Sequence, residues 1–377
     1  MGAVIIGSGK ALPRLEVAND ELKALVDTND EWISSRTGIS TRHIAVDESA
    51  QELAYAASCA AMGIENTVFP QTHGSGWCEN SIDPSSIDLV LYATVSPDAI
   101  VPSCAALLKR NLGLTNAVAM DVNAACTGFI YNMTVAEAML AASNACDNVV
   151  RVNSFKRALV VGVDRLSRLT DWQDRNTCVL FGDGAGAAVL DWQPEKTGIM
   201  ASYIRNDDDI KNSLTCANAI EALQPFCTDG VNVAMADKPD ESIFSIDQML
   251  GISEDVANGK MRQVIRMDGR TIFKFASNAM TNAVTTVLDN TGLSLDDIDC
   301  IVPHQANERI IRFAAKKLGI EEDKFQLSID HTGNTSSASV PMALADAYTN
   351  GRIKRGDKVI IVAFGGGLTS GAVLFEA

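Results

Sequence analysis

The chain has 377 residues, long enough for one large or two medium domains with a sizeable core. Its 31 basic and 47 acidic side chains leave a net charge of −16, which excludes a general nucleic-acid or anionic-membrane surface, because both require a concentrated positive field. A hydrophobic fraction of 47% against 21% charged excludes bulk disorder, and the longest apolar runs fall well short of the ~20 residues that span a bilayer.

The N-terminal stretch through Gly9 is apolar, with no basic region ahead of it and no extended signal core, so a cytoplasmic protein is expected. Short β-branched runs then alternate with longer helical patterns, the organisation of an α/β fold. The runs at Asp88–Val95 and Lys358–Phe364 read as buried strands. Residues 70–84, rich in Gly and Ser and holding His73, and residues 146–156 read as surface insertions. A polar stretch over 205–260, with many acids, is too long for a plain connector and reads as a larger insertion.

An internal echo organises the rest. Ser86–Thr94 and the helix ending at Gly113 resemble Asp297–His304 and the helix ending at Gly319. In the same order, Ala117–Cys126 matches Phe325–Asn334, Arg157–Gly162 matches Asp357–Val362, and Gly184–Leu190 matches Thr369–Leu374. Four matched elements in one order predict two halves of one topology, 1–193 and 194–377, packed face to face.

Nine cysteines without a Cys-x-x-Cys pair argue for free thiols over a disulfide framework or a zinc site. Asp207, Asp208 and Asp209 are consecutive and cannot converge on one ion without an unusual turn, so no metal site is expected. Among four histidines, His304 stands apart: it lies at a strand end just before an amphipathic helix, where α/β folds place ligands. At the echoing junctions stand Cys126 and Asn334. A cysteine at a helix N-terminus is favoured as thiolate, although the commoner fate of a free cysteine is burial as a small hydrophobe. Duplicated halves would bring Cys126, His304 and Asn334 to one centre.

Six segments carry a family resemblance: Val26–Ile39, Ala124–Phe129, Phe181–Ala187, Pro303–Asn307, Gly333–Ala338 and Phe364–Gly367. In this order, and over nearly the whole chain, they are similar to the β-ketoacyl-acyl-carrier-protein synthase III family of the thiolase-fold condensing enzymes. The resemblance implies two duplicated βαβαβαββ halves in a five-layer αβαβα sandwich. It also implies decarboxylating Claisen condensation of an acyl-CoA primer with malonyl-acyl carrier protein, which starts fatty-acid synthesis. Cys126 would accept the acyl group, with His304 and Asn334 completing a triad and the backbone N–H groups of Cys126 and Gly366 forming an oxyanion hole. No glutamate lies between Glu79 and Cys126, whereas related enzymes that deprotonate an α-carbon use one upstream of the cysteine. Decarboxylation makes such a base unnecessary.

The resemblance further implies that Trp32 and Arg175 sandwich the adenine of CoA, that Arg36 and Thr37 contact nucleotide and phosphate, and that Asn307, Gly269 and Phe273 line the pantetheine path. Arg309, Arg312, Lys316 and Lys317, at helical spacing on a strongly acidic chain, form with Lys274 a docking stripe for acidic carrier protein. A homodimer is implied, in which Val101 reaches the partner's acyl pocket; a valine there, where phenylalanine is usual, predicts primers longer or bulkier than acetyl. No cofactor beyond the acyl-CoA substrate is implied. Alternatives are a related condensing or acyl-transfer enzyme of a specialised polyketide or lipid pathway, a cysteine acyl hydrolase, and an idle acyl-CoA-binding scaffold.

Overall fold

Two sheets grow from the apolar runs. In the computed structural model, which describes residues 2–145, 154–216 and 264–377, the run at Leu89–Ala93 forms β5 and that at Lys358–Gly365 forms β13, both buried almost throughout. Such strands suit sheets covered by helices on both faces. The first sheet has the order β4 (Gly74–Cys78), β1 (Gly2–Ala11), β8 (Asp183–Gln193), β7 (Arg157–Arg165), β5, β6 (Val118–Val122). The second has the order β12 (Cys300–Pro303), β13, β14 (Thr369–Glu376), β9 (Ile199–Asn206). Strand β5 pairs parallel with β6 and β7, as β12 does with β13. Every strand of the first sheet precedes residue 194 and every strand of the second follows it.

Helices complete five layers. Ala50–Met62 (α2) and Cys104–Leu112 (α3) bury their apolar faces against the outer side of the first sheet, and α2 is set by a capping box between Ser49 and Glu52. Between the sheets run Gly128–Ala145 (α4) and Ser339–Thr349 (α7); side chains of both sheets join Phe129, Met133, Val340 and Leu344 in one core. The far side of the second sheet is covered by Gly269–Thr291 (α5) and Glu308–Leu318 (α6). Close approach is specified in the sequence: a β-carbon on Gly162 of β7 would collide with the carbonyl of Ser337 at the start of the central layer.

Two expectations are corrected. Residues 70–84 are more than surface decoration, because β4 extends the first sheet by antiparallel pairing with β1, and Trp77 stacks on Tyr348 with ring centroids 4.4 Å apart. The match between Ala117–Cys126 and Phe325–Asn334 also stops short of a strand. After one bridge between Phe325 and Ile301, the second segment turns into a helical turn at Ile329–Thr332. The buried side chain of Gln305 replaces the missing ladder: its Oε1 accepts the N–H groups of Ser328 (2.9 Å) and Ile329 (3.1 Å), while its Nε2 donates to the carbonyls of Gln326 and Pro303. The proposed insertion at 146–156 falls largely outside the described residues, as does that at 205–260 beyond residue 216. Of the latter, Arg205 and Asn206 end β9, and Leu214–Thr215 (β10) pairs with Arg266–Met267 (β11).

Candidate active site

Cys126 occupies the turn between β6 and α4. After Val122 the side chain of Asn123 accepts the N–H of Ala125, which adopts a left-handed φ of 47°, and a 3-10 turn over Ala125–Thr127 leads directly into the helix. The tight turn presents Cys126 at the helix start, partly accessible. Gly365, the last residue of β13, packs against its backbone amide. Gly366 follows at once, with Leu214 of β10 lying over it, and its carbonyl accepts the Thr369 hydroxyl. The surroundings of the sulfur work against the thiolate expected at a helix N-terminus. Burial pushes the Cys126 thiol up to about 11, a hydrogen bond with Ser336 opposes this, and the nearby negative charge of Asp164 adds to it.

His304 caps β12, its N–H donating to the Val362 carbonyl at 2.8 Å, so the parallel pairing of β12 with β13 fixes its position. The ring is 1% exposed, meets Phe364 edge-on with centroids 5.2 Å apart, and places Nδ1 2.5 Å from the Ser339 hydroxyl. Burial carries its pKa down to about 3, so the imidazole is neutral at physiological pH. A neutral, buried and hydrogen-bonded ring suits hydrogen bonding and not a cationic role.

Asn334 is pinned by the first half of the chain. Its N–H donates to Leu180 and its carbonyl accepts from Gly182, forming a parallel bridge at Phe181. Its Oδ1 accepts the Ser336 N–H at 2.9 Å, which turns the amide over and leaves Nδ2 with no hydrogen bond among the described residues. The next residue joins the halves again: Oδ2 of buried Asp164, at the end of β7, accepts both the N–H and the hydroxyl of Ser337. Oδ1 of Asp164 accepts Thr94, Val95 and Ser96. Thus the 3-10 turn bearing Cys126, the end of β13, the His304 ring and the turn after Asn334 meet at one place. Gln305, Asp164, Ser336 and Ser339, which hold them there, are ordinary polar residues whose partners lie far away in sequence.

Two family models match this chain, that for 3-oxoacyl-acyl-carrier-protein (ACP) synthase III over residues 120–208 and that for its C-terminal region over residues 288–377. It is 40% identical over 372 residues to the β-ketoacyl-acyl-carrier-protein synthase III of Clostridium acetobutylicum, covering 99% of this chain and 98% of the relative. The synthase of Methylococcus capsulatus is 40% identical with the same coverage. The chain belongs to the β-ketoacyl-acyl-carrier-protein synthase III family. Among solved structures, the synthase III of Aquifex aeolicus superposes with a TM-score of 0.80 at 34% identity over the whole of both chains. The priming β-ketosynthase of the R1128 polyketide pathway follows at 0.79 and 30%, covering 100% of this chain and 96% of that one. As a synthase III family member the chain is an acyl-transferring condensing enzyme with the thiolase fold, and its reaction is the condensation that begins fatty-acid synthesis.

In this member of the family the residues expected on the nucleotide side cluster around Asp30–Thr37 (α1). The Arg175 guanidinium carbon lies 3.9 Å from the Trp32 ring centroid and that of Arg36 at 4.7 Å, so the aromatic plate is already stacked by cations. Arg175 also approaches Asp27 at 3.9 Å. Thr37 departs from expectation: it is buried, its hydroxyl donates to Ile33 and accepts from Ile39, and it therefore closes the helix instead of facing a ligand. Asn307 caps α6 through Oδ1 and donates from Nδ2 to the Arg36 carbonyl at 3.1 Å, tying α1 to α6. Gly269 opens α5 with no atom of the described residues within 4 Å of where a β-carbon would be, and Phe273 packs edge-on against Phe313, at 6.2 Å between centroids. Lys274, Arg309, Arg312, Lys316 and Lys317 are all exposed. Arg312 is paired with Glu308 and Glu322, and Lys317 bonds Asn278. Val101 projects into solvent at 86% exposure. Among the described residues no helix is long and apolar enough to cross a membrane.

Proposed function

We propose that the condensation runs through Cys126 in two steps. The Cys126 sulfur attacks the thioester carbonyl of acyl-CoA, the oxyanion is held by the N–H groups of Cys126 and Gly366, and CoA leaves with the proton as its thiol. Malonyl-acyl carrier protein then enters; its carboxylate carbon–carbon bond breaks to release CO2, and the electron pair forms an enolate. His304 and Asn334 donate N–H groups to the enolate oxygen. The enolate carbon attacks the acyl-Cys126 carbonyl, a new carbon–carbon bond forms, and the cysteine sulfur leaves, giving 3-oxoacyl-carrier protein.

The observation that carries this reading is the neutral, fully enclosed His304: it fits a donor to a developing negative oxygen, whereas a base or cation would need a different environment. Trp32, Arg36 and Arg175 serve the nucleotide of CoA. Asn307, Gly269 and Phe273 serve the pantetheine arm, with Thr37 supporting α1 from within. Lys274, Arg309, Lys316 and Lys317, with Arg312 partly neutralised, receive the acidic carrier protein. The enzyme works as a cytoplasmic homodimer, Val101 bordering the partner's acyl pocket, and needs no cofactor beyond its acyl-CoA substrate.

The test combines intact mass on Cys126 with CO2 release, using acyl-CoA primers and malonyl-carrier protein. The wild type should show an acyl adduct followed by malonyl-dependent CO2 and ketoacyl product. Cys126→Ala should show no adduct, while His304→Ala should acylate yet lose decarboxylation by about 10²–10⁴-fold. Equal loss of both steps in the His304 variant would remove the assigned role, and an adduct that only hydrolyses would favour an acyl hydrolase.

A further inference from the structure

The Ser339 hydroxyl is buried and makes two hydrogen bonds among the described residues, with Nδ1 of His304 at 2.5 Å and with the N–H of Gln305 at 3.3 Å. The amide can only donate, so it occupies a lone pair on Ser339 Oγ. If His304 Nδ1 also carried a hydrogen, it too would donate to this oxygen. The hydroxyl proton would then be left without an acceptor inside the protein, which buried polar groups avoid. The one arrangement that satisfies all three groups has Ser339 accepting from Gln305 and donating to an unprotonated Nδ1. A neutral imidazole with bare Nδ1 carries its hydrogen on Nε2, at the opposite edge of the ring from Ser339.

We infer that Ser339 is a positioning residue that locks His304 as the Nε2–H tautomer, so that the ring presents a donor, not a lone pair, to the reacting oxygen. The inference deepens the role proposed above for His304 and rests on it. Ser339 opens the central helix α7, five residues after Asn334, so one short segment sets both donors: Asn334 directly, and His304 through the hydroxyl. Phe364 meets the ring edge-on and offers no competing hydrogen bond. Because the ring is neutral, donation is governed by tautomer and not by protonation. A cysteine thiol or a methyl in place of the hydroxyl would leave the ring free to turn or to exchange its hydrogen between nitrogens.

The direct test is nitrogen NMR of imidazole-labelled wild-type enzyme. There are four histidines in the chain, and comparison with His304→Ala identifies the resonance of interest. Nδ1 of His304 is expected to be unprotonated and hydrogen-bonded, and a protonated Nδ1 would overturn the inference without any variant being made. In Ser339→Ala, decarboxylation of malonyl-carrier protein by the acyl-enzyme should fall 10–100-fold, while acylation of Cys126 changes less than threefold and the His304 signal shifts toward a tautomer mixture. Ser339→Thr, which keeps the hydroxyl, should recover most of the loss. Decarboxylation in Ser339→Ala within threefold of wild type, or an unchanged tautomer, counts against the proposal. A wild type that never decarboxylates would refute the proposed reaction instead, and the tautomer measurement would still judge Ser339.

Discussion

Cys126 and Gly365 approach so closely that a β-carbon on the glycine would sit 2.8 Å from the Cys126 amide nitrogen. Both partners at this contact are backbone, so neither can rotate away. Gly365→Ala is therefore expected to push the Cys126 turn off its position and slow acylation by about 10²-fold, the cost of roughly an ångström of misplacement at a reacting atom. Adduct formation followed by intact mass would measure it. A wild-type rate would mean that the end of β13 yields and that the oxyanion geometry is not set by this contact.

Burial of His304 also links stability to pH. Its folded pKa lies at about 3 against an ordinary 6.5, so below pH 6.5 the unfolded chain binds a proton that the folded chain refuses. The contribution is fully present above pH 6.5 and is lost as pH falls from there toward 3, amounting to about 2 kcal/mol by pH 5. Urea unfolding at pH 7, 6 and 5 should show His304→Gln losing less stability over this range than wild type. Parallel curves for the two proteins would contradict a neutral, buried ring.

The raised pKa of Cys126 predicts a pH-dependent nucleophile. With the thiol held at about 11, the thiolate fraction grows about tenfold per pH unit across the neutral range. Alkylation of Cys126 by iodoacetamide should rise in that proportion between pH 6 and 9. A plateau near pH 7 would show that the helix N-terminus outweighs burial and that a thiolate is present at rest.

Val101 bears on primer choice. Its exposure of 86% suits a residue that completes a pocket across a subunit boundary. Wild-type kcat/KM over an acyl-CoA panel should favour primers longer or bulkier than acetyl, and Val101→Phe should move the preference toward acetyl. Strict acetyl preference in the wild type would end this reading.

The fold was legible because its repeats lie in apolar runs, and burial of such runs is a local property: Asp88–Val95 and Lys358–Phe364 contain the central strands β5 and β13. The places of Cys126 and His304 were legible because each stands at a strand end ahead of a helix, whereas Asn334 follows a helical turn and not the strand its echo suggested. What lay hidden depends on partners distant in sequence. Gln305 reads as a loop residue until its amide oxygen is seen accepting the N–H groups of Ser328 and Ile329, where Phe325–Asn334 leaves the strand its echo suggested. Thr37 looks available for a ligand, yet a local carbonyl and a local N–H already engage its hydroxyl. Asp164 gave no signal at all, since its six hydrogen bonds run to two loops from opposite halves.

In the proposed nucleotide site, the stack of Arg175 on Trp32 would set how tightly a base is gripped. A planar base that enters between them breaks the one Arg175–Trp32 contact and makes two, one on each of its faces, so the net gain is the difference and not the whole of both. In a two-step reaction the spent CoA must vacate the channel before the carrier protein's arm can follow. If the proposed nucleotide site holds, a plate that closes on its own arginine would offset part of the affinity for the spent CoA.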